Sequence, residues 1–341
     1  MEKIKGFKGF DKDLKCRGFQ YEVGKEYEQK GKIVCCDNGF HFCEDPFDAL
    51  DYYHPTNSRY CEVEGEGEID RGAKKVAVSH IHIGNELNWN SFINACVRVI
   101  FDKVNWNSDH IIKNAKYSVA KNKGEYSYVT NKGNRSVAMN TGYNSVAENN
   151  EYGSVSMNSD TKSVATNTGE CSVAMNDGYK SVAMNSGYKS VAMNSGYMSA
   201  AKNIGKCSVA INVGNDSIAT NSGSRSIVAN TGECSVAMND GYKSVAMNSG
   251  YCSVAENIGN KSVAMNVGDC STAKVGHKDS VAIVIGKNCK AAGVLDSWLV
   301  LTERDCNSEI VGMKAVKVDG TTIKADTYYA LRNGEIVEVN Y

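Results

Sequence analysis

The chain has 341 residues, with 38 Lys and Arg against 39 Asp and Glu and a net charge of −1. That length suggests two or three structural units of about 100–200 residues, and the charge balance excludes a strongly basic nucleic-acid binder and an acidic nucleic-acid mimic. No run reaches the ~20 apolar residues of a membrane helix, and Met1-Glu-Lys-Ile-Lys-Gly-Phe-Lys8 lacks the apolar core of an export signal, so the 13 cysteines read as reduced thiols of a cytosol rather than a disulfide framework.

Residues 1–117 form a first, α+β region. Strands are expected at 22–28, 32–36, 59–63 and 74–83. Asp45-Pro46 reads as a helix start, with Asp as N-cap and Pro in the first turn, leading into Phe47-Asp-Ala-Leu-Asp-Tyr-Tyr53. A second helix is expected over 86–104, where Leu87, Phe92, Ala95, Cys96, Val99 and Ile100 fall at helical spacing; it is placed as an end cover for the segment beyond residue 117.

Residues 118–288 are a nine-residue repeat of unbroken spacing. A Ser recurs every nine residues from Ser118 to Ser280, nineteen times without insertion or deletion. The best copies read Ser-Val-Ala-Met-Asn-Ser-Gly-Tyr-Lys, as in Ser181 to Lys189. Position 2 is Val or Ile in 16 copies, position 3 is Ala in 16, position 5 is Asn in 17 and position 7 is Gly in 16. An α-helix is excluded, because nine residues make two and a half turns and would throw the Val column to the opposite face at each copy. Disorder does not hold a β-branched residue in fixed register.

The pattern fits a parallel β-solenoid in which each copy makes a short strand and a turn. Asn and Gly are assigned to the turn because they tolerate left-handed backbone, and two copies close an 18-residue coil with two facing sheets. About nine and a half coils at ~4.8 Å each give a rod of roughly 45 Å. Position 2 is expected to point inward, making Val173, Val182, Val191, Val236 and Val245 core residues; the rival orientation puts Ser, Ala and Asn inside and Val and Met outside. An 18-residue coil also sorts the variable positions into rows. Tyr143, Tyr179, Tyr197 and Tyr251 fall on one edge, Tyr152, Tyr188 and Tyr242 on the other, and they are candidate contact residues because Tyr is favoured at interfaces. Cys234, Cys252 and Cys270 stack on one edge, Cys171 and Cys207 on the opposite one.

Residues 289–341 read as a small antiparallel β cap, with strands at 297–302, 310–318, 322–323, 328–332 and 336–339 and hairpin turns at Asp319-Gly320 and Asn333-Gly334.

These residues carry several resemblances. The nine-residue period with Val182 and Gly187 resembles the repeats-in-toxin β-roll, whose calcium-binding Asp falls on Lys189, Lys180, Cys171 or Arg135 here; calcium-dependent folding is therefore not expected. The Ser-Val-Ala-x-Asn strand is similar to that of trimeric autotransporter adhesin heads. Taken together, Lys5-Gly-Phe-Lys-Gly-Phe10, Arg17-Gly-Phe-Gln-Tyr-Glu-Val-Gly-Lys25, Gly39-Phe-His-Phe-Cys-Glu-Asp-Pro46, the repeats and Ile323-Lys-Ala-Asp-Thr-Tyr328 resemble an uncharacterised family found in bacteriophages and their hosts. That resemblance covers essentially the whole chain and implies a phage or prophage origin, but no activity.

Within the first region, Gly39-Phe-His-Phe-Cys43, Arg17-Gly18 and Glu62-Val-Glu64 faintly resemble ADP-ribosyltransferase motifs, which would make Arg17, His41, Glu62 and Glu64 the catalytic candidates. Cys35, Cys36, His41, Cys43 and Cys61 lack the second Cys-x-x-Cys of a zinc site, and His80 and His82 read as a solvated pair; no metal and no cofactor is expected. The reading that results is a non-enzymatic interaction protein: a rigid solenoid that binds a protein partner, a host defence component being one such target, in the cytoplasm of the bacterial host. A transferase head on a solenoid spacer and a virion-associated fibre or adhesin are the alternatives. Nucleic acid and membrane are not expected partners, and self-association is compatible with all three.

Overall fold

The computed structural model describes residues 3–105 and 110–340 and separates the chain into two compact units, 1–99 and 100–341. The first is built on a five-stranded antiparallel sheet in which Ile4–Asp11, Ser58–Arg71, Val76–Glu86 and Glu26–Glu28 lie in that order, with Phe40–Phe42 also pairing to Val76–Glu86. Its core gathers Ile4, Phe10, Tyr21, Phe40, Phe42, Val63, Val78 and Ile83. The strand Ile4–Asp11 has no counterpart among the expected elements. Gly6 and Gly9 hide its alternation, and both are needed for space: a Cβ on Gly6 would lie 2.4 Å from the Phe42 ring, and one on Gly9 2.5 Å from that of Tyr53. The strand expected at 32–36 is absent among the described residues; Val34 forms only an isolated bridge with Asn38.

Both helices form where their caps place them. Asp45 accepts from the Phe47 N–H at 3.0 Å, and Pro46–Ala49 follow as one short turn. The second helix is Trp89–Lys103 rather than 86–104, because Glu86 still pairs with Cys61 in the sheet and Asn88 caps, its Oδ1 accepting from Ser91 N–H at 2.9 Å. Phe92 packs on Tyr60 with ring centroids 4.9 Å apart. In the second unit Val104 is buried and the Asn105 N–H donates to the Tyr126 carbonyl at 2.9 Å.

The second unit is a parallel β-solenoid of about eleven turns, longer than the nineteen Ser copies indicate. Successive four-residue strands such as Val173–Asn176 and Val182–Asn185 alternate between two sheets. Repeat strands pair in register with the one eighteen residues on, so Val182 sits on Val164, Ala183 on Ala165 and Asn185 on Asn167. Three further strands extend the series: Ile111–Lys113 before it, and Lys290–Gly293 and Trp298–Arg304 after it. Cys289 stands in the Ser column there, accepting from Ser271 N–H at 3.4 Å. The C-terminal strands are not a separate unit: the hairpin of Trp298–Arg304 with Ile310–Lys317 continues one sheet, and that of Tyr328–Arg332 with Glu335–Val339 continues the other. Asn333-Gly334 makes the expected tight turn, both residues at positive φ, whereas Asp319-Gly320 links the two sheets, and the strand expected at 322–323 does not form because Asp319 accepts from the Thr321 and Ile323 N–H groups and holds them in the turn.

The interior reverses the expected orientation. Ala and Asn face inward, and Val and Met face outward. Ala201, Ala210, Ala219, Val228 and Ala237, from both sheets, form one buried cluster, and each is fully buried. Strand alternation then puts position 2 on the outside. Of the five valines expected in the core, Val173, Val191 and Val245 are only partly buried; Val182 and Val236 are buried but belong to the same outward column. The physical reason lies in the turns, which demand inward polar groups. Asn185 Nδ2 donates to the Ser172 carbonyl at 3.0 Å and to the Val191 carbonyl at 3.3 Å, while its Oδ1 accepts from Gly187 N–H at 2.9 Å. Ser190 Oγ accepts from Ser172 N–H at 3.2 Å and reaches the Gly169 carbonyl at 3.1 Å. An Asn held inward at position 5 forces position 3 inward with it, and Ala fits the narrow gap between the sheets.

The turn glycine serves a different purpose from the one its sequence suggests. The left-handed residue is position 9, whatever its identity: Lys180, Lys189, Cys207 and Arg225 have φ of 53, 54, 57 and 56°. Gly187 is not left-handed; a Cβ there would stand 1.9 Å from the Gly169 carbonyl of the coil below. Where position 7 is Glu151 or Asp160 the turn cannot close in this way, and the Oδ1 atoms of Asn149 and Asn158 are buried with no hydrogen-bond partner. The Asn and Gly columns are therefore one device.

Candidate protein-binding face of the solenoid

The outward columns differ between the two sheets. On the 12-stranded sheet, position 4 is Lys121 at the first rung and then Met139, Met157, Met175, Met193, Ile211, Ala229, Met247, Met265 and Ile283. Beside it runs a position 2 column composed only of Val and Ile, from Val137 to Val281. On the other sheet the same position holds Glu148, Thr166, Met184, Lys202, Thr220, Met238, Glu256 and Lys274, so charge interrupts the column repeatedly, with Lys274 Nζ 3.7 Å from Glu256.

Both sheets carry the same inward pattern, so folding does not demand this asymmetry. The uncharged stretch spans nine rungs, about 40 Å at ~4.8 Å per rung. Its side chains are partly exposed, Ile227 at 43% and Met247 at 38%, and Val213 and Val267 widen it at position 6. A groove of about 290 Å³ runs along Met139, Met157, Met175 and Met193, and Asp177 at position 6 also lines it. Contiguous exposed apolar surface of this kind is a mark of interaction sites. Methionine suits such a surface because its unbranched thioether adapts to irregular partners.

The tyrosines lie on the two edges that the 18-residue coil assigns them. Tyr143, Tyr179, Tyr197 and Tyr251 precede strands of the charged-face sheet, and Tyr152, Tyr188 and Tyr242 precede strands of the Val/Met sheet. Tyr179 and Tyr197 stack with centroids 5.9 Å apart and planes within 5°. Lys189 lies 5.2 Å over the Tyr188 ring and Lys243 5.2 Å over that of Tyr242. These are edge ladders bordering the Val/Met face rather than its centre. Sequence reasoning passed over the methionines, although the signal is in the chain: position 4 splits into apolar and charged sets when read with a period of eighteen instead of nine.

In the first unit, Arg17 and His41 line one cleft. Glu62 and Glu64 do not join them. They alternate with the core residues Cys61 and Val63 and so point to the other side of their strand, where Glu62 meets Arg98 at 3.3 Å and Glu64 meets Lys5 at 3.6 Å. An arginine, a histidine and a carboxylate converging on one ribose, as the transferase resemblance requires, are not assembled. His80 and His82 share one face of their strand, His80 lying 3.6 Å from Glu28. The cysteines considered for zinc are dispersed: Cys43 and Cys61 are buried, with burial pushing both thiols up to about 12, and Cys36 donates its N–H to His41 Nε2 at 2.8 Å. Among the described residues no group of three His, Cys, Asp or Glu is placed to hold a metal ion, and no helix is long and apolar enough to cross a membrane.

Residues 4–95 match the model of a domain of unknown function (DUF7666). The match ends before the repeats, so the solenoid and its face lie outside it. Comparison with curated proteins and with solved structures returns no match.

Proposed function

We propose that this protein is a non-enzymatic binding scaffold which presents the Val/Met face of its 12-stranded sheet to a protein partner. The observation that supports the reading is the unbroken uncharged column at position 4 from Met139 to Ile283, while charge recurs at the same position of the other sheet. The in-register rungs make the face rigid, so binding orders few groups beyond the methionines and costs little conformational entropy. The likeness to phage-borne proteins makes a host protein the partner we favour, a defence component among them, with the bacterial cytoplasm as the place of action.

The test is capture from host lysate with wild type, with a Met175→Glu/Met193→Glu double variant, and with Lys261→Glu on an exposed turn as control. Both methionines point outward, so the substitutions leave the solenoid interior unchanged, and circular dichroism checks that the coil is kept. A partner recovered with wild type and with Lys261→Glu, and lost with the double variant, supports the reading. Equal recovery with all three proteins refutes it, and recovery of the chain in purified virions in place of any captured partner would favour a structural role in the particle.

A further inference from the structure

The cleft in the first unit encloses about 480 Å³, within the roughly 300–1,000 Å³ range of small-molecule sites. Its floor holds a lysine of an unusual kind. Lys8 sits mid-strand and is 4% exposed. Its Nζ donates to the His41 carbonyl at 2.7 Å, lies 3.6 Å from Cys16 Sγ, and stands 5.2 Å over the Tyr21 ring. Among the described residues no carboxylate pairs with it. Burying an ammonium without a counter-charge costs several kcal/mol, and burial duly pushes its pKa down. Apart from the bond to the His41 carbonyl, packing alone does not call for a charge there, since Met would fill nearly the same volume.

Further cations line the cleft. Arg17 is exposed with a left-handed φ of 50°, and Lys75 lies 4.8 Å over the Tyr52 ring. Among the described lining residues Asp37 is the single carboxylate, against those three cations. His41 adds no charge at neutral pH, because burial and then Lys8, Lys75 and Arg17 press its pKa below the usual histidine range. The walls are aromatic. Phe19 is 46% exposed at the cleft and leads a T-shaped cluster with Tyr21, Tyr27 and Phe40. An exposed phenylalanine beside a buried ammonium without a counter-ion is a costly arrangement for a free surface and a favourable one for a ligand.

We propose that this cleft binds a small ligand which joins a planar aromatic ring to an anionic group, with Lys8 meeting the anion at the floor, Arg17 and Lys75 closing on it from the sides, and the ring packing against Phe19 and Tyr52. Phosphate and carboxylate both satisfy the anion requirement, and ring stacking with cation contacts supplies the rest. The site is independent of the solenoid face, and neither reading depends on the other.

Calorimetric titration of the full chain with AMP, with salicylate and with uncharged adenosine tests the proposal, using Lys8→Met and Arg17→Ala as variants. Lys8→Met removes a buried charge while nearly keeping its volume, and Arg17→Ala changes an exposed side chain, so both proteins should fold with wild-type circular dichroism. Saturable binding of AMP that weakens about tenfold or more in each variant supports the proposal and assigns a phosphate ligand. The same result with salicylate supports it and assigns a carboxylate. Failure of both probes at millimolar concentration overturns it, as does affinity for adenosine equal to that for AMP, or affinity unchanged in both variants.

Discussion

Gly187 is the position at which the two explanations of the repeat glycine part. If glycine were present for left-handed backbone, Asn would be its best replacement and Ala a poor one. The close approach to the coil below predicts otherwise. A Cβ at Gly187 meets the Gly169 carbonyl at 1.9 Å and Ser190 Oγ at 2.7 Å, both far inside van der Waals contact, so the turn must lift away. Lifting it breaks the 2.9 Å bond from Gly187 N–H to Asn185 Oδ1 and leaves buried groups unpaired, at a cost of about 1–3 kcal/mol. Lost contact between the displaced turn and its neighbours adds to this, so Gly187→Ala should destabilise by roughly 2–4 kcal/mol, and Gly187→Asn by at least as much. For a unit of this size each kcal/mol moves Tm by about 2–4 °C, so a drop of several degrees is expected by calorimetry or circular dichroism. The converse is Glu151→Gly, which lets the turn close and gives Asn149 Oδ1 its missing donor; it should raise stability by about 1 kcal/mol. If Gly187→Asn is near wild type while Gly187→Ala is damaging, or if Glu151→Gly lowers Tm, the close-approach argument is wrong.

The same geometry makes a deletion informative. Removing Ser172 to Lys189 takes out one whole coil and should leave a folded, slightly shorter solenoid, whereas deleting Ser181 to Lys189 transfers every later strand to the opposite sheet, bringing Lys202, Glu256 and Lys274 into the methionine column; limited proteolysis should find the nine-residue deletion protein degraded and the other resistant, and equal resistance would refute the two-sheet coil. In the first unit Glu86 accepts two hydrogen bonds from Arg59, at 2.7 and 2.6 Å, which hold its carboxyl below the usual value of 4.5. A depressed carboxyl contributes stability above its unfolded pKa and loses it as pH falls through the folded one, so acid unfolding of this unit should begin below about pH 4.5 and be flattened there by Glu86→Gln; an unchanged acid limb would show the pair to be idle.

Much of the architecture can be read directly from the chain. A Ser every nine residues, with β-branched and small neighbours and an Asn-x-Gly turn, dictates strands, parallel stacking in register and two copies per coil, because only that arrangement keeps each column on itself. Caps such as Asp45-Pro46 and turns such as Asn333-Gly334 are equally local and equally legible. Tertiary structure decided what a column faces. Val is more apolar than Ala, and sequence logic therefore puts Val182 inside; the fold instead places Ala183 there, because Asn185 must turn inward to satisfy carbonyls of the neighbouring coil and strand alternation carries Ala with it. The purpose of Gly187 was likewise undecidable without the carbonyl eighteen residues earlier lying against it. The cleft around Lys8 draws on segments as far apart as Phe7 and Lys75, whose approach no local pattern encodes. Periodicity fixes what repeats along a chain, and only packing between coils and between strands fixes which side of the repeat meets water.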